Sequence, residues 1–169
     1  NSSCWLSLKL GVGAPAAIID GPASAAAFAG ARAARTRRKA AGRNAIGSAI
    51  RTALVLLEAN AFAGLRRVID LSGDSAHSFN GPPIVTARKE AIAAGVTING
   101  LAILCREKGC SGRPVGYDLE AVFARRIIAG PGSFVITVDG ETGFAEAVKR
   151  KLVLEIALES GGTDDGSVE

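Results

Sequence analysis

Arg67-Val-Ile-Asp-Leu-Ser-Gly-Asp-Ser75 is the stretch on which the fold turns. The apolar run Val68, Ile69 and Leu71 reads as a buried strand. It stops at a small, oxygen-rich loop in which Ser72, Asp74 and Ser75 supply two hydroxyls and a carboxylate. Gly73 lets the backbone turn tightly there. In open α/β sheets, ligands and ions bind at the carboxyl ends of the strands. The loop therefore marks a place for function before it names a reaction.

Working outward, apolar runs alternate with helical periodicity. Residues 4–10 and 12–19 read as strands, with Pro15 marking the second as an edge or a bulge. A turn over 20–24, with Pro22 suited to a first helical turn, leads into an Ala-rich helix over 23–34. A basic connection spans 35–43. Asn44 is a suitable N-cap for a helix whose Ile46, Ile50, Ala53, Leu54 and Leu57 recur at helical spacing as far as Ala61. After the 67–71 strand, Pro82 and Pro83 open a helix over 84–94 that Gly95 ends.

Residues 96–104 form another strand, thinned in its middle by Gly100. A helix over 117–128, a Gly-Pro-Gly turn and a strand over 133–138 follow. A closing helix over 142–158 directs Phe144, Ala147, Val148, Leu152 and Ile156 inward and Glu146, Lys149, Arg150 and Lys151 outward. This order predicts an α/β fold: a doubly wound, mostly parallel sheet with helices on both faces. A single domain over 1–158 and an acidic, disordered tail over 159–169 complete the expected organisation.

The bulk composition fits that reading. A chain of 169 residues can bury about 70% of its unfolded surface without a disulfide scaffold or a structural metal. Six Phe, one Tyr and one Trp leave the core to Ala, Val, Ile and Leu. The net charge of +4 is concentrated in Arg32, Arg35, Arg37, Arg38, Lys39 and Arg43, a stretch with no acid. Such a stretch is either a solvated loop or an anion-binding surface. The lack of nearby aromatics disfavours nucleic acid. No apolar run is long enough to span a membrane. Methionine is absent, so Asn1 is expected to follow processing or truncation.

Cys105 and Cys110 enclose a short loop. They are either two reduced thiols or a local disulfide, which needs an oxidising compartment. Zinc is disfavoured because no His lies near. Cys4 is expected to be buried as a small hydrophobe.

Three further patterns bear on function. Gly11-Val-Gly-Ala-Pro-Ala16 matches a loose dinucleotide fingerprint, but Pro15 lies inside it and no acid occurs between Asp20 and Glu58, so the ribose-binding carboxylate is missing. Ser72, Asp74 and His77 carry the residue types of a hydrolase triad crowded into one loop, whereas a triad usually draws on separate elements. His77 is the only histidine. Finally, Asn44, Ser72 and Asp74 sit where two elements end on one sheet edge, and their oxygens suit Mg²⁺. The plainer alternative is that Asn44 only caps its helix and Asp74 only shapes its turn.

Several blocks together resemble an uncharacterised bacterial family of von Willebrand factor A-like domains. They are Gly42-Arg-Asn-Ala-Ile-Gly-Ser-Ala-Ile50, the 67–74 stretch, Ala91-Ile-Ala-Ala-Gly-Val-Thr-Ile-Asn-Gly-Leu101, Ile128-Ala-Gly-Pro-Gly-Ser-Phe-Val135 and Phe144-Ala-Glu-Ala-Val-Lys-Arg-Lys-Leu-Val-Leu-Glu-Ile156. The resemblance implies a Rossmann-like sandwich and a metal-ion-dependent adhesion site completed by a protein partner. Asp74 matches the third-loop Asp of that site, and Asn44 stands where the pattern has Thr. The first-loop Asp-x-Ser-x-Ser is not in this sequence and would lie upstream of Asn1. The resemblance thus implies a degenerate or incomplete Mg²⁺ site with Asp74, Asn44 and Ser72 as its remaining members. It further implies a secreted or periplasmic bacterial protein, which would suit a Cys105–Cys110 disulfide.

The function expected is non-enzymatic, adhesion-type recognition of a protein partner at the Asn44, Ser72 and Asp74 edge. The alternatives are a hydrolase using Ser72, Asp74 and His77, and anionic-ligand binding through Arg35, Arg37, Arg38, Lys39 and Arg43.

Overall fold

A computed structural model describes residues 17–35, 44–62, 64, 66–104, 115–139 and 142–160, with backbone alone for 32–35, 142 and 155–160. The elements in chain order are α1 (Pro22–Arg35), α2 (Ile46–Ala59), β1 (Arg67–Gly73), α3 (Ile84–Ala93), β2 (Val96–Ile103), α4 (Leu119–Arg126), β3 (Val135–Val138) and α5 (Thr142–Ser160). Among the described residues the three strands form one sheet in the order β1-β2-β3. Both pairings are parallel: Arg67 lies opposite Val96 and Gly73 opposite Ala102, while Gly100 lies opposite Val135 and Ile103 opposite Val138. This is a Rossmann-like α/β architecture.

Strand alternation sorts the side chains onto two faces. Ile69 and Leu71 of β1 and Val96, Ile98 and Ala102 of β2 join one core. There they meet Ile46, Ile50 and Leu54 of α2, Ile84, Ala87 and Ala91 of α3, and Leu119 and Phe123 of α4. On the opposite face Leu101 and Val138 meet Ala147 of α5. Helices therefore cover both faces. β2, flanked on both sides, is buried along almost its whole length, as a central parallel strand must be. No described side chain of α1 belongs to either core.

Gly100 has a packing reason. A Cβ there would lie 2.9 Å from Cδ1 of the fully buried Phe123 and 3.1 Å from Ile128 Cγ2. The missing side chain in β2 is the space into which α4 sets its aromatic ring.

Several expected boundaries shift for local reasons. The described part of the 12–19 strand, residues 17–19, is irregular, and Ser24 Oγ folds back on Asp20 Oδ1 at 2.8 Å to shape the turn into α1. The helix expected from 117 starts at Leu119, because Asp118 caps it by accepting from the Ala121 amide at 2.9 Å. Asn44 does not cap α2. Ala45 holds the cap position without a side-chain bond, and Ser78 Oγ, from across the chain, accepts from the Gly47 amide at 3.3 Å. The closing helix continues to Ser160, so the first residues assigned to the acidic tail are helical.

The inward face of α5 is also corrected. Ala147 is buried, but Phe144 and Leu152 are exposed, while Lys151, expected outside, is only 5% exposed. Ala147 and Lys151 are four residues apart and share a helix face. Lys151 Nζ is ion-paired with Asp70 Oδ1 of β1 and lies 5.9 Å from the centre of the Phe134 ring. A lysine can enter an interior when its charge meets a carboxylate and a ring face and its stem covers apolar surface.

On the outside, Arg51 of α2 grips Glu90 of α3 through both carboxylate oxygens, at 2.6 and 2.5 Å. That hydrogen-bonded guanidinium holds the Glu90 carboxyl below its usual range, against a smaller opposing effect of desolvation.

Candidate functional site

The β1–α3 loop, residues 74–83, leaves the carboxyl end of β1 and folds over the start of α2. Three kinds of contact fix it. Ala45 and Ser78 form an isolated antiparallel bridge, and the Phe79 amide donates to the Asn44 carbonyl at 2.9 Å. Pro82 presses on Gly47 so closely that a Cβ at Gly47 would lie 2.1 Å from the Pro82 carbonyl oxygen. Gly81 turns with φ +83°, a left-handed conformation that glycine adopts without strain. On the other side, the Ala76 amide donates to the Tyr117 hydroxyl at 2.9 Å, tying the loop to the segment before α4.

This scaffold brings Asn44 to Asp74, as the sequence led one to expect, and adds Ser75. Asn44 Nδ2 donates to Ser75 Oγ at 2.6 Å and reaches Asp74 Oδ1 at 3.5 Å. All three side chains are half-buried. Ser72 is exposed at the end of β1. By alternation it shares the face of Asp70, and it makes no hydrogen bond with Asn44 or Asp74. Ser75 was legible as an oxygen in the 67–75 stretch, but only the folded loop reveals which hydroxyl Asn44 meets.

His77 does not complete a relay. Its ring packs 5.5 Å from both Phe79 and Tyr117, and it makes no hydrogen bond with Ser72, Ser75 or Asp74. In this arrangement the three triad-type side chains are not joined to one another by hydrogen bonds.

For a divalent cation, the set offers one carboxylate, Asp74, and an amide that turns its N–H toward the oxygens. Each donated hydrogen takes one lone pair, on Asp74 Oδ1 and on Ser75 Oγ, and leaves Asp74 Oδ2 uninvolved. No group of three or more His, Cys, Asp or Glu side chains converges among the described residues. The geometry is that of a hydrogen-bonded link between two loops. No helix among the described residues is long and apolar enough to cross a membrane.

Of the basic stretch, Arg35 closes α1. Arg37, Arg38, Lys39 and Arg43 lie outside the described residues, as do Cys4, Cys105 and Cys110.

No curated protein and no solved structure matches the chain. A family described as "Protein of unknown function (DUF1194)" matches residues 12–160, which span α1 to the end of α5 and hence the whole Asn44–Ser75–Asp74 edge. The chain belongs to the DUF1194 family.

Proposed function

We propose that this chain is a non-enzymatic recognition domain that engages a protein partner at the carboxyl edge of its sheet, around Asn44, Ser72 and Asp74. The observation that carries this reading is the Asn44–Ser75 bond of 2.6 Å. It joins two loops distant in sequence into one polar surface, at the edge where parallel α/β sheets gather their ligands. The exposed Ser72 hydroxyl and the half-buried Asp74 carboxylate offer that surface a donor and an acceptor. The resemblance to von Willebrand factor A-like domains supports the same edge. The engagement of His77 by two aromatic rings speaks for binding over hydrolysis.

Recognition in this form does not depend on Mg²⁺, because Asp74 is the one carboxylate among Asn44, Ser72, Asp74 and Ser75, and a divalent cation held by a single carboxylate binds weakly. The proposal also holds the domain to be secreted or periplasmic, as a Cys105–Cys110 disulfide would require.

The test places a photo-crosslinking residue at Ser72 in the whole protein in its source cells. A discrete protein adduct is expected that a crosslinker at Glu146, exposed on α5, does not form. Asp74→Ala should reduce it at least ten-fold, and chelation with EDTA should leave it unchanged. Equal adducts at Ser72 and Glu146, or none at Ser72, overturn the site. Loss on chelation with recovery on adding Mg²⁺ overturns its metal independence.

A further inference from the structure

We propose that the cleft between α3 and α4 binds a small molecule through a phosphate-class oxyanion. Ala76, His77, Ser78 and Pro83 of the 74–83 loop also line it, so the cleft adjoins the partner-recognition edge without sharing Asn44, Ser72 or Asp74. The cleft encloses about 520 Å³, within the range of about 300–1,000 Å³ typical of small-ligand sites. Its charged lining is one-sided: Arg88 of α3 and Arg125 and Arg126 of α4 contribute, and among the described residues no carboxylate does.

The guanidinium of Arg88 is held in place, because its Nε donates to the Ile128 carbonyl at 2.9 Å. That leaves the terminal nitrogens of its fork for an oxyanion. Arg125 and Arg126 form no ion pair with a described carboxylate. Their position in the last turn of α4 also suits that helix's dipole, but Arg88 lies in the middle of α3 and has no such explanation. Three guanidiniums around one cleft repel one another, and an oxyanion among them relieves that repulsion while accepting paired N–H donors.

A second set of donors lines the same cleft. α3 begins at Ile84 behind Pro83, with no side-chain cap and no acid in its first turn. The Thr86 and Ala87 amides turn back onto the Pro83 carbonyl, at 3.1 and 3.2 Å. The Ile84 and Val85 amides meet no acceptor among the described residues, and both residues line the cleft. Free amides at the positive end of a helix bind anions. Three guanidiniums and a helix start offer more donors than one carboxylate can use, which favours the phosphate class.

The test titrates the whole protein with inorganic pyrophosphate, reading affinity by calorimetry and location by amide chemical shifts. Saturable binding is expected, with the largest shifts at Ile84 and Val85. The double substitution Arg125→Gln, Arg126→Gln should weaken it at least ten-fold. Lys149→Gln with Arg150→Gln, an equal charge change on the exposed side of α5, should leave it within two-fold of the unsubstituted protein. Absence of saturable binding at millimolar pyrophosphate overturns the proposal. So do equal losses in both double variants, or shifts centred away from the cleft.

Discussion

On the face covered by α2, α3 and α4, the sheet presents Ile69, Leu71, Val96, Ile98 and Ala102 to a continuous apolar core. On the face covered by α5, the core among the described residues shrinks to Leu101, Val138 and Ala147, and Asp70 and Lys151 make an ion pair at its margin. The same strands, read in alternate positions, thus yield one face held by close packing and one held partly by charge. The difference teaches where each kind of substitution should hurt.

The largest effect is expected where packing alone operates. Phe123→Ala should cost about 3–5 kcal/mol, the usual toll of removing a buried aromatic, measured by denaturant unfolding. Gly100→Ala should cost about 1–3 kcal/mol by overfilling the same spot. In the Phe123→Ala background that second cost should largely vanish, since the two side chains compete for one volume. Additive costs would show that the ring and the glycine are not paired as described.

On the charged face an asymmetry is expected. Asp70→Ala takes a carboxylate away from an ammonium that is 6% exposed and should cost about 1–3 kcal/mol. Lys151→Met should cost less, because Asp70, at 44% exposure, keeps its access to water. If Lys151→Met proved the worse of the two, the pair would matter for its stem and not for its charge.

The smallest effect belongs to Arg51–Glu90, outside both cores. The depressed Glu90 carboxyl contributes stability above its unfolded-state range, and that contribution is lost as pH falls through its folded-state value. Glu90→Gln should therefore differ slightly from the unsubstituted protein at neutral pH and not at all in acid. A large difference would contradict the modest strength of exposed ion pairs.

The same contrast explains what the sequence made legible. β1 and β2 were readable because Val, Ile and Leu recur through both at strand spacing, with Gly73 ending the first and Gly95 preceding the second. The inward face of α5 departs from its periodicity, which counts apolar residues and treats lysine as solvent-facing. Lys151 is buried through Asp70, a residue more than seventy positions upstream, and no local pattern carries that information.

Asn44 shows the same limit at the candidate site. Its residue type and its place before a helix point to an N-cap. In the fold its side chain links to Ser75, while Ser78 serves the helix amide. The carboxyl-edge location followed from the strand-and-loop reading, but the hydrogen-bond assignments depended on how a loop thirty residues away returns.

That return has a consequence for binding. The 74–83 loop is bridged to α2 at Ala45–Ser78, bonded through Phe79 and Asn44, wedged at Pro82 against Gly47 and tied to Tyr117. A surface fastened at so many points has little conformational freedom left to surrender when a ligand arrives. Association there should carry a small ordering entropy, so modest contacts can suffice for useful affinity. A ligand should meet this edge in its final shape, with rigid-body docking in place of loop rearrangement.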